Sequence, residues 1–387
     1  MTDAAPPIGV YVHWPYCARI CPYCDFNVVR DRGRREEQAA LAAAIIEDLT
    51  AQATLTGPRT LVSIYLGGGT PSLMDPDWVG RIIETARALW PADGPVEITL
   101  EANPTDAEAG RFAAFAGAAV ERLSLGIQAL NDEALAFLGR NHGAAEAIRA
   151  AEMARRAFPR LSLDLIYARP GQTPAAWAEE LMAAIALGAE HISPYQLTIE
   201  AGTAFDRAVR RGQFVPPNEE AGADLFETTQ EVLSAHGFDA YEVSNHAKGA
   251  AARSRHNLVY WRGEDYAGVG PGAHGRLALD GRRTATRAAS GIGDYIRRVA
   301  ETGVGWEERE ALDPRQAAEE RVLMGLRTDE GVEMAALGPL GLAEDHAALG
   351  DMTGAGLLKV TDGRLIATAS GRLVLNRIVT ELATAIA

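Results

Sequence analysis

The chain of 387 residues carries 37 basic against 52 acidic side chains, a net charge of −15, and 47% of it is hydrophobic. That charge excludes a general nucleic-acid binder, which needs a basic surface to release the counterions of a phosphate backbone. Lysine occurs only at Lys248 and Lys359, so nearly all positive charge is arginine. The length allows roughly two to three domains, or one barrel of about 250 residues with an appendage. The first ten residues, MTDAAPPIGV, show no basic region followed by an apolar core, so no secretory signal is expected. No run approaches about 18 uncharged apolar residues, so no membrane-spanning helix is expected either. Free thiols suit a reducing cytoplasm.

Residues 9–198 alternate between short β-branched or apolar runs and long Ala/Leu-rich helical patterns. Strands are predicted at Val10–His13, Leu61–Leu66, Val96–Glu101, Arg122–Gly126, Leu161–Ile166 and His191–Thr198, with helices between them. One helix, Trp177–Leu187, is plainly punctuated: Thr173 caps it, Pro174 takes its first turn and Gly188 stops it. Such alternation gives an α/β fold with a parallel sheet and crossover helices, doubly wound or closed toward a barrel. In a barrel, ligand groups gather at the C-terminal ends of the strands.

The unusual residues fall there. After the first strand, the stretch YVHWPYCARICPYCDFN (Tyr11 to Asn27) holds all three cysteines, Cys17, Cys21 and Cys24, spaced C-x3-C-x2-C. An odd number of thiols this close together is a poor disulfide staple; it suits zinc or an iron–sulfur cluster. A closed zinc site needs a fourth ligand, from His13, Asp25 or a distant histidine. A cubane on three cysteines leaves one iron open. After the second strand comes Gly67-Gly68-Gly69-Thr70-Pro71, either a place where a ligand approaches the backbone or an ordinary strand-to-helix turn. It lacks the Walker lysine and is not G-x-G-x-x-G, so it is no nucleotide-phosphate loop. Glu101 ends the third strand, Gln128 follows the fourth, Asp164 lies in the fifth and Tyr195-Gln196 in the sixth. Such groups are ordinarily surface polar residues; here they can also converge on one ligand.

Further along, a helix is predicted over Glu219–His236, then a short strand and turn in YEVSNHA (241–247). RHNLVYW puts His256, Asn257, Tyr260 and Trp261 in one short segment. It is either a structural turn with a packed tryptophan or a kit for a flat ligand, with an axial nitrogen, aromatic faces and hydrogen bonds. From Glu310 the pattern changes: helices at Gln316–Leu326 and Glu344–Met352, and a hairpin of Leu357–Thr361 and Arg364–Ala367 about Asp362-Gly363. A last helix, Gly371–Ala385, is capped by Ser370. Helices with a two-stranded wing make a small α+β, winged-helix-like domain, read as a lid or docking domain rather than a DNA binder.

The cysteine loop resembles that of the radical S-adenosylmethionine (SAM) superfamily, where SAM chelates the open iron of a [4Fe-4S] cluster. GGGTP, RLSLGIQ, DLIY, YEVSN, RHNLVYW and GVGPGAHG follow in family order. RHNLVYW matches the HNxxYW motif of HemW-type haem chaperones, relatives of the oxygen-independent coproporphyrinogen III oxidases (HemN). The resemblance implies a partial (β/α)6 radical SAM barrel over residues 1–240, an HNxxYW-containing extension over 241–305, and a HemN-like accessory domain over 306–387. It implies the cluster on Cys17, Cys21 and Cys24. It implies SAM contacts at Tyr11, Tyr23, Gly67, Gly68, Gly69, Thr70, Glu101, Gln128, Arg140, Asp164 and Gln196, with Glu101 and Arg140 on the methionyl part and Asp164 on the ribose. Haem would meet His256, Asn257, Tyr260 and Trp261. His256 is the expected axial ligand, with His246 and His274 in reserve.

Oxidase-type loops carry one more cysteine, two residues after the third; here that position is Phe26. The oxidases' N-terminal extension is also expected to be missing. Both favour a haem carrier, without catalytic residues of its own, that passes haem to an acceptor protein, a membrane protein met transiently among those it admits. The alternative is the oxidase, which uses SAM radical chemistry to decarboxylate coproporphyrinogen III. No C-x-x-C-H run exists for covalent c-type attachment. Two departures from the family stand out: Arg169, where an apolar residue is commoner, and KGAAARS (248–254) before RHN.

Overall fold

The computed structural model describes residues 5–106 and 109–384. Ten strands build its main sheet: β1 (Pro7–Trp14), β2 (Thr60–Gly68), β3 (Glu97–Ala102), β4 (Arg122–Gln128), β5 (Arg160–Tyr167), β6 (His191–Gln196), β7 (Asp265–Val269), β8 (His274–Leu279), β9 (Arg282–Ala288) and β10 (Trp306–Ala311). Their order is β10-β9-β8-β7-β1-β2-β3-β4-β5-β6, and the two-residue strands His246–Ala247 and Asp239–Ala240 extend it past β6. Strands β7 and β1 to β6 are parallel; β8 to β10 return antiparallel as a meander. A helix follows each of β1 to β6: Arg35–Thr56, Pro76–Leu89, Ala109–Gly117, Ala144–Ala157, Pro174–Ala186 and Glu219–Ala235. This is the partial (β/α)6 barrel that the resemblance implies, and all six predicted strands are in it. The punctuated helix forms as read: the Thr173 hydroxyl accepts the Ala176 N–H, and Gly188 leaves the helix at φ +80°.

The strands alternate sharply. Ile64, Leu66, Ile98, Leu100, Leu123, Leu125, Leu161, Leu163 and Ile192 are buried in one apolar core with the helices. Their neighbours in sequence, Ser63, Thr99, Ser124, Ser162 and Ser193, are as deeply buried but polar. Successive side chains on a strand face opposite ways, so the barrel has an apolar outside under the helices and a polar inside. The polar groups answer one another: Ser162 Oγ pairs with His191 Nδ1 at 2.8 Å, Ser193 donates to Asn245 at 2.8 Å and Ser124 to Asp164 at 2.9 Å. Most buried polar groups are paired in this way; the Thr99 hydroxyl is an exception.

The C-terminal unit has its own core, including Val322, Leu326, Val332, Leu337, Leu349, Leu365 and Leu382. Its helices Pro314–Gly325 and Ala347–Gly354 pack with a three-stranded sheet, Val332–Glu333, Arg364–Ala367 and Leu358–Thr361. Asp362 and Gly363 turn the hairpin at φ +50° and +71°, as a two-residue loop of this type requires. Two expectations are corrected. Strand β10, assigned by sequence to the domain beginning at 306, pairs with β9 and closes the main sheet instead. The last predicted helix is interrupted: Thr368, not Ser370, caps Ala369–Leu373, and Leu375–Thr384 follows; Ala385 lies outside the described residues.

Arginines dock this unit on the barrel. Glu320 bridges Arg276 and Arg283 at 2.5 and 2.7 Å; Arg262 reaches Glu330 and Arg253 reaches Asp329, each at 2.6 Å. The unusual KGAAARS segment thus supplies a docking arginine, Arg253. Arg169 forms a largely buried pair with Glu180, which ties the segment after β5 to the following helix. Among the described residues no helix is long and apolar enough to cross a membrane.

One buried carboxylate organises the N-terminal end of the barrel. Glu97, fully buried at the start of β3, meets Arg160 at 2.7 Å and Arg122 at 3.9 Å, and accepts the Ser254 hydroxyl and the His256 backbone N–H. Burial alone would raise its pKa; Arg122, Arg160 and these hydrogen bonds outweigh that and hold it below the usual carboxylate range. Its contribution to stability is therefore complete above that range and lost as the pH falls below it. Glu97→Ala strands two arginines and is predicted to cost about 3–5 kcal/mol, measured by urea unfolding at pH 7; the gap from wild type should narrow as the pH falls toward 3.

Candidate cofactor cavity and an adjoining cleft

The cysteine loop leaves β1 at Trp14 and is stitched to the strand ends by backbone bonds. Gly69 N–H donates to Trp14 O and Thr70 N–H to Tyr16 O, both at 2.8 Å. A Cβ on Gly69 would stand 2.7 Å from Tyr16 O and 2.8 Å from Pro15 O, so this glycine is demanded by the loop's close approach. Tyr16-Cys17 and Val29-Arg30 pair as a short parallel ribbon that closes the loop. His13 Nε2 donates to Asn27 O at 2.8 Å, and the Asn27 amide donates to Pro271 O and Ser290 O, each at 2.9 Å.

Beneath the loop lies a cavity of about 380 Å³. Cys17, Cys21, Cys24 and Tyr23 line it from the loop; Gly68, Gly69, Thr70 and Glu101 line it from β2, β3 and the turn between. Gln128, Arg140, Asp164 and Gln196 complete the predicted set. Gln128 holds φ +63°, rare outside glycine and asparagine, at the end of β4. Two expected contacts stand elsewhere. Tyr11 lines the adjoining cleft, its hydroxyl donating to His13 Nδ1 at 2.9 Å; Gly67 makes room for the rings of Tyr65 and Tyr11. Tyr195, read from the sequence as a strand-end group, lines the cavity with Asn103, and Tyr65 is a lining residue that sequence reasoning missed. The alternation of β2 itself, which turns Tyr65 to the same side as the buried polar Ser63, is the signal that would have found it.

The electrostatics suit a zwitterionic ligand. Tyr65 donates to Glu101 Oε1 at 2.7 Å and Gly68 N–H to Oε2 at 3.1 Å. Burial nonetheless pushes Glu101 up to about 7, helped by nearby Asp164, and burial raises Asp164 as well. Two carboxyls so placed gain from a cationic group between them. Opposite, Arg140 donates to Cys21 Sγ at 3.2 Å, to Gly126 O at 3.1 Å and to Asn103. Burial works against its charge, but Tyr23 and Cys21 outweigh burial and hold it cationic. Burial pushes the Cys17 thiol up to about 11 and raises Cys24, so ionising them calls for a metal. Among the described residues no three His, Cys, Asp or Glu side chains are grouped to hold one metal ion. A four-iron cluster, with each cysteine on a different iron, fits three thiols set along the rim of a cavity better than one tetrahedral zinc does.

The HNxxYW segment forms the helix Arg255–Trp261, capped by Ser254 and packed on β1, β2 and β7. His256 is 1% exposed; Nδ1 pairs with Ser63 Oγ at 2.9 Å and Nε2 with the Tyr260 hydroxyl at 2.5 Å. Burial holds it neutral, at about 3. As placed, neither ring nitrogen is open to an iron, which is a correction to the axial role expected of it. Asn257 does not line the cleft; Tyr260 and Trp261 do. That cleft, of about 520 Å³, lies on the other side of the cysteine loop, and Phe26 borders both it and the cavity. His246, the other reserve, is buried beside Gln230, away from either.

Comparison with known proteins agrees with this geometry. Residues 11–183 match the family model of the radical SAM superfamily, and residues 312–374 that of the HemN C-terminal domain. The chain is 40% identical to the mitochondrial radical S-adenosyl methionine domain-containing protein 1 of Bos taurus, over 84% of this chain and 74% of that one. It is 33% identical to the heme chaperone HemW of Bacillus subtilis, over 96% of this chain and 97% of that one. In fold it is similar to the crystallised coproporphyrinogen III oxidase (HemN) of Escherichia coli, with a TM-score of 0.79 over 98% of this chain and 91% of that one, at 22% identity.

Two outcomes are expected. Protein reconstituted anaerobically with iron and sulfide should hold about four irons per chain, and Cys21→Ser should lose them while its circular dichroism is retained. Added SAM should perturb the reduced cluster's electron paramagnetic resonance spectrum. Ionised Glu101 is the form that pairs with an amino group, so this response should weaken in wild type as pH falls through about 7. Glu101→Gln should respond weakly at every pH.

Proposed function

The chain belongs to the HemW family of radical SAM proteins, and from that premise we propose that it binds haem and a SAM-ligated [4Fe-4S] cluster and passes haem to an acceptor protein. When bound, the cluster supplies an open iron for SAM and a route for single electrons. The chain's own residues do the rest. Cys17, Cys21 and Cys24 hold the cluster at the cavity rim, and Arg140 keeps positive charge against Cys21. The Gly68–Thr70 backbone, Glu101 and Arg140 bind the methionyl end of SAM, and Asp164 and Gln128 orient the nucleoside. Tyr260 and Trp261 offer an aromatic side to haem in the adjoining cleft.

The observation that carries the chaperone reading is Phe26. It is 63% exposed, it stands where the oxidases have a further cysteine, and it borders both spaces. A large apolar ring turned to solvent at a cofactor loop invites an apolar partner. The acidic surface speaks against nucleic acid, and the acceptor, which includes the membrane proteins reachable from a cytoplasmic carrier, is met through protein contacts. The oxidase reading asks more of the loop than Phe26 can give.

With reductant and SAM present, the reconstituted protein is therefore predicted to leave coproporphyrinogen III unchanged, followed by porphyrin fluorescence after oxidation. It should instead bind haem, seen as a Soret shift on titration, and yield it to an apo-acceptor. Formation of protoporphyrinogen would replace this reading with the enzymatic one.

A further inference from the structure

Three histidines come near the cleft beside the cysteine loop, and two are spoken for. His13 and His256 have both ring nitrogens in hydrogen bonds inside the protein. His274, the first residue of β8, differs: it lines the cleft, it is exposed, and its ring makes no hydrogen bond among the described residues. Partial burial, with Arg276 and Arg287 nearby, holds its pKa below the usual imidazole range. The ring is thus neutral at pH 7, the form that ligates a metal.

We propose that this cleft is the haem seat and that His274, rather than the histidine of the HNxxYW segment, supplies the axial nitrogen to the haem iron. The proposal rests on the reading that the protein binds haem, and it locates where. The cleft of about 520 Å³ has the size and character of a small-molecule site. Tyr260, Trp261 and Phe26 give it aromatic walls suited to a flat macrocycle. Met324, on the helix Pro314–Gly325, adds a soft wall from the C-terminal unit. The Trp261 indole N–H is buried without a partner, a cost that a ligand acceptor would remove.

Arg287 supplies the charge that haem carboxylates need. It now pairs with Glu307 at 3.3 Å and with Glu308, both well exposed. Exposed pairs contribute little, so a propionate can displace them at small cost and gain a two-pronged bond to the guanidinium. Position 26 then acquires a second meaning. A thiol there would border the same cleft and compete with His274 for iron, since thiolates are strong haem ligands. Phenylalanine removes that competitor and adds a face for stacking.

The test is haem titration of the cluster-loaded full-length protein, wild type against His274→Ala and Arg287→Glu. His274→Ala should weaken haem binding by about tenfold or more, the scale on which losing even a ligand's supporting hydrogen bond weakens a metal site. It should also move the Soret band, and added imidazole should return the band to its wild-type position. Arg287→Glu should weaken binding without moving the band. Iron–sulfur content and the response to SAM should be those of wild type in both. Wild-type affinity and an unmoved Soret band in His274→Ala, with wild type binding haem, would overturn this assignment alone. Failure of the wild-type protein to bind haem would overturn the chaperone reading together with it.

Discussion

The seating of the cysteine loop on the ends of β1 and β2 is the constraint on which the upper face of the molecule depends. Three thiols in one loop can face one cavity when the backbone on either side of them is held in place. The hold is almost wholly backbone and amide: Gly69 and Thr70 bind the loop's first carbonyls, and Asn27 fastens its far end to Pro271 and Ser290. Gly270 completes the clamp. At φ +99°, with the site of a Cβ only 2.2 Å from His13 O, it can be nothing but glycine. Gly270 and Gly272 of GVGPGAHG thus have a use without any ligand, since they let the β7–β8 turn close on His13 and Asn27.

The polar interior of the barrel follows from a second constraint, the alternation of the strands. With helices outside, apolar residues must face outward, and every second position is turned into the barrel. At the C-terminal end those positions hold Glu101 and Asp164 and open into the cavity beneath the cysteine loop. At the N-terminal end they hold Glu97 and Arg122 and are sealed by the helix Arg255–Trp261. His256 stands between the two regimes, stacked 4.9 Å from Tyr65, whose hydroxyl binds Glu101. The HNxxYW helix thereby reaches, through the ring of Tyr65, the carboxylate of Glu101 in the cavity beneath the cysteine loop, while Tyr260 and Trp261 line the cleft.

The arginine bias also acquires a structural use. The C-terminal unit is docked by forked arginines that each reach carboxylates from a fixed geometry, Arg253 and Arg262 on one side and Arg276 and Arg283 on the other. A lysine offers one point charge where these offer a planar fork. Through Met324 the docked unit also contributes to the wall of the cleft, so its position bears on whatever the cleft holds.

Local chemistry was legible in the sequence. Strand and helix periods, the Thr173 cap and the Asp362-Gly363 turn act over a few residues and formed as read, the interrupted last helix excepted. The three cysteines, Gly68, Gly69, Thr70, Glu101, Gln128, Asp164 and Gln196 lie at or near strand ends, which a barrel sends to a common face, and all line one cavity; Arg140 was expected only from the family resemblance, and Gly67 stands outside that cavity. What only the tertiary structure decided lies in pairings far apart along the chain. Asn27 reads as an ordinary loop residue until Pro271 and Ser290 are brought to it. Strand β10 reads as the start of a new domain until β9 offers it an edge. His256 reads as an axial ligand or part of a structural turn until Ser63, 193 residues away, takes one ring nitrogen and Tyr260 the other in a buried setting. Periodicity fixes which way a side chain turns from its own strand or helix; which neighbour it then meets depends on the closing of the sheet, and no local pattern encodes that.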